Sequence, residues 1–198
     1  MAEQNLLNGK PYHYVALEAL KKLNPGKLLE LGIGNSRMLE QAQLLGYKVQ
    51  GADIDENFLS IAREKKFNVK KLDLNNPLPF KDCSFDYVMS LEVIEHIPNF
   101  KNILKEINRV LKKGGTAILS MPNCGLWCYR FALFFTGNMP PEYDGSDGHV
   151  NHYSFNQWKK MLETYFEVES VNTEVISRKL RLSTNFFSKY SFFVCKKH

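Results

Sequence analysis

The run Leu28-Leu29-Glu30-Leu31-Gly32-Ile33-Gly34-Asn35-Ser36 constrains the fold of this chain more than any other feature. A short apolar stretch gives way to two glycines. Met38, Leu39, Ala42 and Leu45 then recur at helical spacing. The segment reads as a buried strand that turns through a glycine-rich loop into a helix. Glycine has no Cβ, so such a loop can take left-handed backbone and let a ligand lie directly on the main chain.

The same alternation continues along the chain. Residues 11–23 form a first helix, ended by Asn24-Pro25-Gly26, and Leu28 to Leu31 the first strand. Val49 to Ile54 is a second strand, 56–66 a helix, Val69 to Leu74 a third strand and Phe85 to Leu91 a fourth. Ile103, Leu104, Ile107, Val110 and Leu111 mark an amphipathic helix closed by Gly114-Gly115, and Thr116 to Met121 is a fifth strand. Strands alternating with helices predict an α/β fold, a doubly wound and mostly parallel sheet covered on both faces. Ser154-Phe155-Asn156-Gln157 has the form of a capping box opening a last helix. Phe166 to Val175 and Tyr190 to Cys195 follow without a clear helix between them, which predicts an antiparallel pair at the sheet edge and seven strands in all.

One domain suits 198 residues. The net charge of +5 comes from scattered Lys and Arg, which fits either a lysine-rich enzyme surface or an anionic partner such as nucleic acid. No window approaches the ~18 consecutive apolar residues of a membrane span. The polar Met1 to Lys10 lacks the apolar core of a signal peptide. A cytoplasmic protein with reduced Cys83, Cys124, Cys128 and Cys195 is therefore expected.

In an open parallel sheet, ligands sit at the carboxyl ends of the strands, where strand order reverses. Gly32 and Gly34 fall at such an end, and Asp53 follows about 20 positions later, where a carboxylate can accept the ribose hydroxyls of an adenosine. Asp55 is expected to cap the next helix.

Several motifs agree in order with this reading. They are Glu30 to Ser36, Gly51-Ala52-Asp53-Ile54-Asp55, Leu72-Asp73-Leu74 with Leu78-Pro79-Phe80, Ser84 to His96, and Val110 to Gly115. Together they resemble the class I S-adenosylmethionine-dependent methyltransferases over about residues 12–175. The resemblance implies a Rossmann-like fold and S-adenosylmethionine as cofactor. It places Glu30 towards the methionine amino end and Gly32 and Gly34 under the cofactor. Asp53 and Ile54 then lie at the ribose, Asp73 and Leu74 at the adenine, and Ser90 and Leu91 along the methionine side. Ser36 occupies the family's third glycine position, a departure.

If the chain turns helical after the fourth strand, Glu92, Glu95 and His96 share a face. This Glu-x-x-Glu-His pattern resembles O-methyltransferases of ubiquinone biosynthesis and ribose methyltransferases of small RNAs, in which those residues bind a divalent metal. His149, with His152 second, matches the downstream histidine of the RNA enzymes. Either a metal site or metal-free base catalysis by His96, His149 or Glu92 satisfies the pattern.

Residues 123–150 carry Trp127, Tyr129, Phe131, Leu133, Phe134 and Phe135, followed by a turn-rich acidic stretch from Pro140 to Gly148. Placed after the fifth strand, this insertion is expected either to form a lid over the acceptor or to pack its aromatics on the sheet. The favoured activity is methyl transfer to a hydroxyl of a small metabolite, aromatic or lipid-linked. The alternatives are metal-assisted RNA ribose methylation and a cofactor-binding partner protein without turnover.

Overall fold

The computed structural model describes residues 10–137, 148–170 and 188–198. Its elements are α1 (Pro11–Lys21), β1 (Lys27–Leu31), α2 (Arg37–Leu44), β2 (Lys48–Asp53), α3 (Glu56–Glu64), β3 (Val69–Lys71) and β4 (Phe85–Leu91). A three-residue 3-10 turn at Ile94–His96 is followed by α4 (Phe100–Val110), β5 (Leu111–Pro122), α5 (Trp127–Thr136), α6 (Phe155–Leu162), β6 (Glu167–Ser170) and β7 (Tyr190–Lys196).

These strands make one seven-stranded sheet in the order β3-β2-β1-β4-β5-β7-β6. The first five pair in parallel, and β7 runs antiparallel between β5 and β6. The chain steps outward from β1 to β3, then returns to lay β4 against the other side of β1. Strand order therefore reverses between β1 and β4, and a crevice opens there at the carboxyl ends.

Alternation along the strands sends side chains to two covered faces. Leu28, Met89, Ile118 and Phe192 pack with Ala16 and Leu20 of α1 and with Met38 and Ala42 of α2. Leu29, Leu31, Val88 and Leu119 pack on the other face with Ile103, Leu104 and Ile107 of α4 and with Trp158 and Leu162 of α6. Leu59 and Ala62 of α3 bury a third group with Leu39 and Phe67. A central sheet apolar on both faces is stable only between helices, which is why the alternating pattern was legible.

Three boundaries differ from the expectation. Strand β3 stops at Lys71, because Asp73 turns back to accept the Asn75 N–H and ends the ladder. Helix α4 ends at Val110, and Gly114-Gly115 lie inside β5. Pairing jumps from Phe85–Leu111 to Tyr87–Thr116, so residues 112–115 bulge out. A Cβ on Gly115 would sit 2.9 Å from the Asp86 carbonyl oxygen, and Gly114 has φ +72°. The glycines serve the bulge, not the helix end. The expected continuation of β6 to Val175 and the stretch Pro140 to Asp147 lie outside the described residues.

The capping box at α6 forms as expected. Ser154 Oγ lies 2.8 Å and Ser154 N 2.9 Å from Gln157 Oε1. None of the four cysteines, all among the described residues, forms a disulfide. No helix among the described residues is long and apolar enough to cross a membrane.

Candidate active site

A cavity of about 820 Å³ opens where β1, β2, β4 and β5 end. Its floor is the loop after β1. Gly32 has φ +76°, and a Cβ there would fall 2.3 Å from Val93 Cγ2, so only glycine fits. Gly34 has φ +47° and meets nothing within 4 Å, leaving bare backbone facing open space. Ser36 keeps the left-handed backbone of the glycine it replaces, at φ 62°, and its buried Oγ lies 2.6 Å from the Asn35 carbonyl. The departure from the motif leaves the loop's shape intact. Gly51 supports it from below, where a Cβ would meet Ile33 Cγ2 at 2.6 Å.

Two carboxylates flank this loop. Asp53 Oδ2 accepts the Gly34 N–H at 3.1 Å and Oδ1 accepts the Asp55 N–H at 3.0 Å. Both bonds fix the carboxylate at the cavity and leave a lone pair on each oxygen for a ligand hydroxyl. Asp55 caps α3 through the Asn57 N–H at 2.8 Å, as expected. Glu30 is buried, its Oε2 has no hydrogen-bond partner, and it lines the cavity. Burial, then the neighbouring charge of Asp53, hold its carboxyl well above the usual range, while the Leu39 N–H opposes them. Exposed Ile54 and Phe58 supply apolar surface beside Asp53.

Leu91 lines the cavity, whereas Asp73, Leu74 and Ser90 are not among its lining residues. Asp73 is held in a turn by Asn75 and Asn76, with the Asn75 N–H keeping its carboxyl low. Ser90 is buried in the sheet.

The segment after β4 does not continue as a helix. Glu92 has φ +56°, which swings it away from Glu95 and His96, and Oε1 accepts the Ser120 hydroxyl at 2.7 Å. A non-glycine residue held left-handed at a cavity is a mark of a functional position. Burial pushes the Glu92 carboxyl up to about 7, against the Ser120 hydrogen bond and the charges of Lys10 and Lys189.

Glu95, His96 and His149 do converge. Their ligand atoms lie within 4.8 Å of one another. Glu95 is fully buried, with Oε1 3.9 Å from His96 Nε2 and 3.8 Å from His149 Nε2. His149 is carried there because the Val150 and Asn151 N–H groups both bond the Glu95 carbonyl at 3.0 Å. His96 Nδ1 lies 3.0 Å from the Gly148 carbonyl oxygen. A carbonyl only accepts, so Nδ1 carries the proton and Nε2 is the basic nitrogen. His152 is exposed and outside this group.

The opposite wall was missed by the sequence reading. Lys10, Tyr12 and His13 at the start of α1, with Lys189 and Tyr190 at the start of β7, close the cavity beside Glu92. The Tyr12 and Tyr190 rings meet edge to face at 5.1 Å. Burial, then Glu92 and Glu95, push the Tyr12 hydroxyl upward. Asn123 sets this wall. Its amide donates to the Ser188 carbonyl at 2.8 Å and its Oδ1 accepts the Gly125 and Phe155 N–H groups at 3.0 Å each. No periodicity marks such residues, because they lie far from the glycine loop in sequence.

Comparison with known proteins bears on this geometry directly. Residues 29–119 match the methyltransferase domain family. That stretch, just under half of the chain, resembles the class I S-adenosylmethionine-dependent methyltransferases. A demethylmenaquinone methyltransferase of Staphylococcus aureus is 36% identical over 100 residues, covering 47% of this chain and 42% of the relative. The match thus spans less than half of that relative's length. Among solved structures, a methyltransferase from Archaeoglobus fulgidus has a TM-score of 0.69 at 18% identity, covering 98% of this chain and 97% of its own. One from Thermotoga maritima has a TM-score of 0.63 at 23% identity, covering 94% and 89%. These two likenesses bear on the fold alone.

Proposed function

We propose that this chain transfers the methyl group of S-adenosylmethionine to a hydroxyl of a small aromatic acceptor. The observation that carries the proposal is the cavity itself. It has bare backbone at Gly34 and two carboxylates, Glu30 and Asp53, at one end, and Glu92 between two lysines at the other. The unpartnered Glu30 Oε2 and the open space over Gly34 fit a cofactor bearing an amino group and a ribose.

When bound, the cofactor supplies a methyl carbon on a positively charged sulfur that leaves as a neutral thioether. The protein's part is then alignment, exclusion of water and removal of one proton. Asp53 holds the ribose hydroxyls and Glu30 faces the amino end. Glu92, oriented by the Ser120 hydroxyl, would take up the proton that the acceptor hydroxyl loses. Asp73 and Leu74, though set apart from the cavity, are assigned to the adenine edge, and Ser90 and Leu91 to the methionine side. The described helix of the insertion, α5 with its exposed Phe131, Phe134 and Phe135, is assigned as part of a lid. Deleting 126–146 should abolish turnover and leave cofactor affinity within several-fold.

The Staphylococcus relative is named for a quinone acceptor that is methylated on carbon, so it supports an aromatic acceptor and not the hydroxyl, which rests on Glu92 alone. A second reading, metal-assisted methylation of an RNA ribose, is favoured by the Glu95, His96 and His149 group. A carboxylate with two imidazoles suits a divalent transition ion better than Mg²⁺. The two readings separate in one assay with methyl-labelled S-adenosylmethionine. Label in phenolic acceptors, unaffected by chelator, supports the first; label in RNA, lost with chelator, supports the second and overturns the first.

A further inference from the structure

The cavity is divided by charge. Its carboxylates Glu30 and Asp53 sit on the side of the β1 and β2 ends, where a cationic cofactor is favoured. Across from them the ammonium groups of Lys10 and Lys189 face Glu92 from the start of α1 and the start of β7. Glu95 also faces Tyr12, but it lies within 4 Å of both His96 and His149. Lys10 Nζ stands 5.6 Å from the centre of the Tyr12 ring, which in turn meets Tyr190 edge to face. The Asn123 backbone N–H donates to the Lys189 carbonyl at 2.9 Å, so the backbone of this lysine is set at the start of β7.

We propose that Lys10, Lys189, Tyr12 and Tyr190 form an acceptor subsite selective for an aromatic ring that carries an anionic group, a carboxylate or a phosphate, in addition to the hydroxyl presented to Glu92. The proposal rests on the methyl-transfer reading and adds the class of acceptor to it. The tyrosine pair offers an apolar wall to the ring, and two ammonium groups at one end attract a negative substituent more strongly in a confined site than in open water. A substrate anchored at both ends would present one hydroxyl to the reacting carbon, which is how a small ring acquires a single productive orientation.

The test is calorimetric titration with 3,4-dihydroxybenzoate and with catechol, which differ by the carboxylate alone. Both are run on the whole chain, with and without saturating S-adenosylhomocysteine. Dihydroxybenzoate is expected to bind at least ~10-fold tighter than catechol, an advantage that shrinks as salt is raised. In the Lys10→Gln/Lys189→Gln double variant the two ligands should bind within about twofold, with affinity for S-adenosylhomocysteine retained. Each single variant should lose part of the advantage, which keeps the test alive if the double variant is unstable. Equal affinities in the wild-type protein, binding of neither ligand, or an advantage that survives loss of both lysines would overturn the subsite. Selective binding of dihydroxybenzoate by a protein that ignores S-adenosylhomocysteine would support the subsite and overturn the methyl-transfer reading.

Discussion

Replacing Glu92 by Gln separates the chemistry of this carboxyl from its structural effect. In the unfolded chain the group titrates near 4.5, and burial beside Ser120 pushes it up to about 7 in the folded protein. The folded state therefore holds a proton that the unfolded state releases. Stability from this group is fully present below the unfolded value and is lost as pH rises through about 7. A shift of that size corresponds to about 3 kcal/mol at 1.36 kcal/mol per unit. Glu92 lines an open cavity and stays partly hydrated, so screening reduces the effect to about 1–2 kcal/mol. Gln keeps the oxygen that accepts from Ser120 and carries no charge. Glu30 titrates upward in both proteins and cancels. Urea unfolding, followed by the buried Trp158, should show the variant and wild type nearly equal at pH 4, below the unfolded value, and the variant more stable by about 1–2 kcal/mol at pH 8.5. Turnover should fall by about 10²–10⁴, as expected for a lost base. In the wild type the rate should rise through about pH 7, with Lys10, Lys189, Tyr12 and Tyr190 the charged and titratable groups around Glu92. An equal stability difference at both pH values, or full activity in the variant, would refute this account of Glu92.

Other perturbations probe the frame around it. Gly32→Ala forces a Cβ into Val93 on left-handed backbone and should cost at least ~2 kcal/mol in a denaturation midpoint. Gly34→Ala has room and should cost only about 1 kcal/mol, yet weaken S-adenosylhomocysteine binding, because the new methyl occupies the open surface over the loop. Asn123→Ala removes hydrogen bonds to three segments and should destabilise by about 2–4 kcal/mol in thermal or urea unfolding. Glu95→Gln breaks up the histidine group. Under the metal-free reading it should leave turnover insensitive to chelator, as in the wild type, which a metal-titrated rate assay checks.

The half of the cavity around Gly32 and Asp53 was legible because it is local. One loop and the next strand end, Gly32 to Asp53, carry the turn, the carboxylate and the cap within a single strand-loop-helix-strand unit. The parallel sheet was legible for the same reason, since each unit repeats a period of two and then one of 3.6. The half around Glu92 was not. Glu92 looked like one ligand of a helical cluster until its positive φ turned it towards Ser120. Lys10, Tyr12, Lys189 and Tyr190 meet only because β7 inserts between β5 and β6, placing the start of β7 beside the start of α1. The glycines at 114 and 115 misled for a related reason. A glycine pair marks a helix end or a strand bulge equally well, and only the register against Phe85 and Tyr87 decides.

The most direct measurement is calorimetric titration of S-adenosylhomocysteine into the wild-type chain and into Asp53→Ala. The account predicts saturable one-to-one binding by the wild type. It also predicts at least ~1.5 kcal/mol, about tenfold in affinity, lost in the variant, the worth of a charged hydrogen bond. No binding by the wild type, or identical affinities in the two proteins, would contradict it.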